Sequence, residues 1–168
     1  MWRCSGTLSR SDRPGILHTA SIRSIASARD VNVRTAEEAD VLAVLSVDHL
    51  PERADEVRHA VEDSRCLVAE ISGELVGFCV SGRFFGFDFL ELLVVEVAHR
   101  RRGVGTALIE EWEKTADTAK WFTSTNESNV PMKRLCEHLG YVRSGFIEDL
   151  DEGDPEVVYF KANGRRQV

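Results

Sequence analysis

Between an apolar, strand-like stretch, Leu90 to Val95, and a helical pattern that opens at Ala107 lies Arg100-Arg101-Arg102-Gly103-Val104-Gly105-Thr106. A glycine turn joining a strand to a helix gathers free backbone N–H groups at the positive end of the helix dipole. Glycine also lets a ligand approach the backbone without meeting a Cβ. With three guanidinium groups beside it, such a turn is an anion site, and the anion it suits is phosphate. The chain must therefore run a strand directly into a phosphate-facing helix.

Two common phosphate turns do not match. A P-loop needs Gly-x-x-x-x-Gly-Lys-Ser/Thr, and no such run exists. A dinucleotide fold needs Gly-x-Gly-x-x-Gly/Ala after the first strand, whereas Leu108 stands at the third glycine position here. That leucine would hold helix and strand apart, and the strand before the turn is the fourth or fifth of the chain. A nicotinamide dinucleotide is thereby disfavoured.

A third pattern fits. Leu93-x-Val95-x-Val97-x-x-Arg100-x-x-Gly103-x-Gly105 resembles the central motif of the GNAT superfamily of acetyl-CoA-dependent N-acetyltransferases. Downstream, Asn126 to Met132 followed by Leu135-Cys136-Glu137-His138-Leu139-Gly140-Tyr141 resembles that family's asparagine, short helix and closing Leu-Gly-aromatic. The resemblance runs from about Val31 to Lys161. It implies an α/β (α+β) fold: a mixed, mostly antiparallel twisted sheet of six to seven strands with helices on both faces. It also implies acetyl-CoA as cosubstrate, no metal, and a primary amine of a small molecule or peptide as acceptor. The amine would attack directly in a ternary complex. A non-catalytic acyl-CoA-binding or regulatory module is the alternative.

Composition bounds the rest. The chain has 168 residues, 43% hydrophobic and 29% charged, which suits one soluble domain. No apolar run reaches the eighteen or so residues of a membrane helix. Cys4, Cys66, Cys79 and Cys136 have no Cys-x-x-Cys spacing, and three lie in periodic apolar stretches. Buried free thiols in a reducing, cytoplasmic compartment follow. The five histidines are scattered and form no metal-like cluster. Residues 1–30 carry a net charge of +3, so the other 138 carry −10 of the chain's −7. A body that acidic disfavours nucleic acid and favours a cationic acceptor. A homodimer is left open.

Residues 1–30 are rich in serine and arginine and lack periodicity, so they read as a flexible or non-essential extension. Their arginine-rich, acid-poor make-up also resembles a transit peptide, and a start codon assigned too far upstream is a third reading. Residues 31–162 read as the N-acetyltransferase domain and 163–168 as a tail. Within the domain the expected order is β-α-α-β-β-β-α-β-α-β-β. Its first strand is Val31–Arg34, and the Thr35 to Glu38 spacing predicts a capping box opening a helix to about His49. Pro51 breaks that helix. Ser72-Gly73-Glu74 reads as a hairpin, and the helix after the phosphate turn is expected to begin at Thr106.

The resemblance assigns roles residue by residue. Val95 and Val97 would offer main-chain bonds to the pantetheine and acetyl parts. Arg100, Arg101, Arg102, Gly103, Val104, Gly105 and Thr106 would hold the pyrophosphate, and Asn129 would bind the pantetheine arm as well as cap its helix. Glu91 is the candidate general base. On a regular strand it shares a face with Phe87, Phe89, Leu93 and Val95, and apolar neighbours make a carboxylate a stronger base. A bulge that turns Glu91 toward solvent or into a salt bridge is the competing reading, with Asp88 in reserve. Relatives often carry an acidic tyrosine where this chain has Cys136, and that cysteine equally suits a buried helix face. Tyr141 reads as core. Glu148, Asp149, Asp151, Glu152, Asp154 and Glu156 read as a solvated acidic loop or as the lining of a cationic acceptor cleft.

Overall fold

Short β-rich runs and helical segments share the chain, and the computed structural model describes their arrangement for residues 30–48 and 51–164. The strands are β1 (Val31–Thr35), β2 (Cys66–Ile71), β3 (Glu74–Phe84), β4 (Phe87–Val95), β5 (Lys120–Asn126), β6 (Val142–Ile147) and β7 (Glu156–Ala162). The helices are α1 (Val41–Asp48), α2 (Ala54–Glu62), α3 (Val104–Thr115) and α4 (Val130–His138). The element order is the one expected from the sequence. One sheet holds all seven strands in the order β1-β2-β3-β4-β5-β7-β6. Every pairing is antiparallel except β4 with β5, which α3 connects as a crossover. Among the described residues no helix is long and apolar enough to cross a membrane.

Each face of the sheet has its own core. Val44, Val47, Val57, Ala60 and Val61 of α1 and α2 pack on Val68, Phe78 and Val80. On the other face Val104, Leu108, Ile109 and Trp112 of α3, with Cys136 of α4, pack on Ala69, Cys79, Leu90 and Tyr159. Ser72 and Gly73, at φ of 54° and 80°, form the expected β2–β3 turn. Gly140, at φ 84°, follows α4 as its left-handed cap.

Two boundaries differ from expectation. Thr35 pairs with Leu67 and stays in the sheet, so it cannot cap a helix. The turn Glu38–Asp40 precedes α1 instead, and Asp40 Oδ2 accepts from Glu37 N–H at 2.8 Å. The Arg34 guanidinium bridges Asp40 and Glu70 and holds the Asp40 carboxyl below its ordinary range. At the second boundary α3 begins two residues early, at Val104, because Gly103 takes the left-handed conformation that starts it.

Gly77 sets the spacing beneath that helix. A Cβ there would stand 2.9 Å from the Val94 carbonyl oxygen and 3.1 Å from Val104 Cγ1. In an open strand, alanine for glycine stabilises by about 0.5–1 kcal/mol. Here overpacking against a backbone carbonyl costs about 1–3 kcal/mol and prevails. Gly77→Ala is therefore expected to lower stability by about 1–2 kcal/mol in urea denaturation; an unchanged or raised midpoint would show that β3 and α3 have slack.

Candidate active site

β4 is paired unequally on its two edges. Toward β3 the ladder runs its whole length but slips between Val80 and Ser81, since Val80 faces Leu92 and Ser81 faces Leu90. Glu91 is the extra residue, a β-bulge. Toward β5 only Asp88, Phe89 and Leu90 pair, with Trp121, Phe122 and Thr123. Beyond Leu90 the two strands separate, while Thr123 Oγ1 donates to the Leu90 carbonyl at 3.1 Å where they part. The opening is a cleft of about 940 Å³ between the ends of β4 and β5, closed at one end by the α3 turn and flanked by α4.

The glycine turn forms that end. Arg101 and Gly103 both hold positive φ, 60° and 85°, and Gly103 precedes the first turn of α3. Alternating left-handed residues point successive N–H groups into one concavity, an anion nest in front of the helix dipole. Arg100 Nε donates to the Val95 carbonyl at 3.0 Å and ties the turn back to β4. Val95, Arg100, Arg101, Gly103, Val104, Gly105, Thr106 and Asn129 all line the cleft, as does Glu91. Arg102 and Val97 do not line it. Val97 is 72% exposed in the short turn Val97–His99, which carries the chain away from the sheet. Asn129 caps α4, accepting from Met132 N–H at 3.3 Å.

The bulge corrects the expected surroundings of Glu91. Leu93 and Val95 pack with the α3 core, whereas Leu92 and Val94 pack with the α1–α2 core. Glu91 lies against Gly82, the partner of Phe89, so it shares a face with Phe87 and Phe89 but not with Leu93 and Val95. Its carboxylate faces the Arg65 guanidinium at 3.4 Å, and its side chain is 33% exposed. The apolar row is broken, but the carboxylate stays at the cleft. Asp88 is no reserve base. Its Oδ2 accepts from the N–H groups of Asp117 and Thr118 and from the Thr118 hydroxyl, each at 2.8 Å, and Oδ1 pairs with Arg83. It fastens the loop after α3, away from the cleft.

With this geometry, comparison with known proteins is informative. The sequence model of the acetyltransferase (GNAT) domain matches residues 62–143. The crystal structure of a GNAT-family acetyltransferase from Bacillus cereus is 32% identical, covers 79% of this chain and 97% of its own, and superposes with a TM-score of 0.76. The chain belongs to the GNAT acetyltransferase family. A mycothiol acetyltransferase from Saccharomonospora viridis is 35% identical over 122 residues, 62% of this chain. The present chain spans only 38% of that relative's length. The PaiA N-acetyltransferase from Thermoplasma acidophilum, solved in complex with coenzyme A, shares the fold at 14% identity and a TM-score of 0.66, covering 79% of this chain and 99% of its own.

Within this GNAT cleft several polar groups went unnoticed in the sequence. Asp48, with its side chain fully buried, pairs with Arg53 at 2.6 Å, and both line the cleft. Only the turn of the chain around Pro51 brings them there, so spacing offers no clue. Thr123, Ser124 and Thr125 also line it; polar residues on an inner strand are the signal that would have found them. Of the six clustered carboxylates only Glu156 reaches the lining. Asp154 instead binds the N–H and hydroxyl of Ser128, whose bonds hold its carboxyl low, and Asp151 accepts from Asn126. Asp151 and Asp154 thus fasten the loop before α4, while Glu148, Asp149 and Glu152 are exposed.

Cys136 is fully buried in the α3–α4 core, and burial pushes its thiol up to about 12. Cys66 is likewise pushed up to about 12, and Cys79 is raised by burial as well. A thiol so far from ionising is no acid at the cleft, and Tyr141 is equally buried in that core. At pH 8 a thiol of this kind is thiolate in only about one molecule in ten thousand. Alkylation of the folded protein followed by mass spectrometry is expected to leave Cys66, Cys79 and Cys136 unlabelled until denaturant is added. Rapid native labelling of Cys136 would place it at the surface.

Proposed function

We propose that the protein is an N-acetyltransferase that moves an acetyl group from acetyl-CoA to a primary amine by direct attack in a ternary complex. The observation that carries this reading is the opening between β4 and β5, set in line with the anion nest at α3. The nest suits the pyrophosphate, through the backbone of Arg101 to Gly105 with Arg100 and Arg101 beside it. The separated strands leave backbone groups of Val95 and its neighbours available to the pantetheine arm, and Asn129 sits where that arm would pass. The thioester contributes an activated acetyl group.

The net reaction forms one N–C bond and breaks one C–S bond. R–NH₃⁺ and acetyl-CoA give R–NH–CO–CH₃, coenzyme A thiol and one proton. Glu91 would take the proton from the amine, directly or through water, on the face of the sheet opposite α3 and α4. The leaving thiolate takes its proton from solvent. With Cys136 sealed in the core, no cysteine among the described cleft residues is placed to carry the acetyl group, which favours the ternary route.

Two substitutions test the parts separately. Thr106→Glu puts a carboxylate in the first turn of α3, where it stabilises the helix but repels an anion. At a few ångström and an effective dielectric near 20 the repulsion is about 2–4 kcal/mol. The variant is expected to keep its melting temperature while losing the rise that coenzyme A produces in the parent chain. An undiminished rise would remove the pyrophosphate assignment.

Glu91→Gln preserves the shape of the bulge and an acceptor for Arg65. It is expected to retain the coenzyme A shift and to lower kcat for an accepted amine by about 10²- to 10⁴-fold, as loss of a general base does. Turnover is read as thiol released from acetyl-CoA across a panel of amines. A wild-type rate in the variant would make Glu91 structural.

A further inference from the structure

The face of the sheet that Glu91 shares continues into a floor of aromatic rings that neither core absorbs. Phe84, Phe87, Phe89, Phe122 and Phe160 stand together across β3, β4, β5 and β7, with successive ring centroids 5.2–6.0 Å apart. All five are only partly buried, and none belongs to the clusters beneath α1–α2 or α3–α4. Phe85 at the β3–β4 turn is 89% exposed and meets Phe84 edge-on at 4.7 Å. A contiguous, partly exposed apolar surface of this kind suits a binding face.

The floor has a polar end, and that end is the cleft. Along β5, Ser124 follows Phe122 on the same face; along β7, Glu156 lies beyond Val158 and Phe160. Along β4, Glu91 follows Phe89. The strip therefore runs from rings at one end to Glu91, Ser124 and Glu156 at the other, where the strands separate. Glu156 has no salt bridge among the described residues, and Asp48 with Arg53 borders the same opening. Strand rise places Ser124 about 7 Å from Phe122.

We propose that this strip is the acceptor site and that the acceptor is a small primary amine with an aromatic body. The inference rests on the N-acetyltransferase reading. Its cationic head would sit among the carboxylates beside the opening, and its ring, two or three bonds from the nitrogen, would stack on Phe89 and Phe122. The nest, α3 and α4 occupy the other side of the sheet, so the amine enters from this one. A polyamine matches the carboxylates but leaves five rings in water. An extended peptide that pairs with a strand finds no free edge at Phe122, where β4 and β7 take both edges of β5.

Thiol release from acetyl-CoA by the full chain tests this with phenethylamine, spermidine and an alanine-initiated peptide. Phenethylamine is expected to exceed the other two in kcat/KM by at least about tenfold, the worth of a ring stacked in an aromatic site. Phe122→Ala should reduce that value by about tenfold, mostly through KM, and leave the coenzyme A melting shift intact. Phe87→Ala, at the start of β4, should act in the same direction and serves if the first variant does not fold; Phe122→Tyr should restore the preference.

Turnover that favours spermidine or the peptide overturns the inference alone. So does an aromatic preference that survives both alanine variants, or a dimer in light scattering that Phe87→Ala dissolves, which would give the floor to a second copy. If removal of residues 1–30 lowers the melting temperature of the parent but not of Phe122→Ala, the floor belongs to that segment and the inference falls. A coenzyme A shift without turnover of any amine instead overturns the N-acetyltransferase reading beneath it.

Discussion

β4 depends on being bonded along one edge and released along the other. A strand inside a sheet ordinarily satisfies its backbone on both sides, because buried N–H and C=O groups without partners are costly. Here the β3 edge is continuous, apart from the Glu91 bulge, while the β5 edge closes after three residue pairs. The fold tolerates this because the unpaired groups line a cleft open to solvent and ligand. The bulge and the short ladder cooperate: one re-aims the side chains after Leu90 and the other opens the space they face. The anion nest, α3 and the Arg100–Val95 bond then fix the direction from which a long ligand must enter.

The two faces of the opened sheet carry different chemistry. On the α3–α4 side the core closes up to the strands, and Gly77 and Gly105 let the helices approach; a Cβ at Gly105 would stand 3.1 Å from Leu135 Cδ2. On the other side, among the described residues, α1 and α2 cover β2, β3 and the far half of β4 and leave the phenylalanine floor partly exposed. In the proposed reaction, donor and acceptor would meet from opposite faces of one gap without either having to leave first, the arrangement direct transfer needs. Glu91 and Glu156 line the opening, and in the proposed reaction they would draw a cationic head to it.

Much of this was readable in residue order. The glycine turn, the β4 pattern, the Asn129 cap and the helix face of Met132, Leu135, Cys136 and Leu139 are local features set by φ, by periodicity and by capping chemistry. They led to seven strands, four helices, and nine of the residues that line the cleft. Glu91 shows where such reading stops. Alternation correctly placed it with Phe87 and Phe89, but one extra residue in the ladder separated it from Leu93 and Val95. Nothing within β4 announces that slip, because it arises from the match with Val80 and Ser81 of another strand.

The sequence by itself determined the order of elements, the glycine turn at the head of α3 and the burial of three thiols, since these follow from short-range sterics and hydrophobic spacing. Tertiary structure alone decided that Asp88 is a fastening, that Asp48 meets Arg53, that Asp151 and Asp154 of the acidic run tie a loop, and that five phenylalanines share a floor. Each of these joins residues from different strands or loops, and a residue's partners across a sheet depend on register and strand order, which no local pattern encodes.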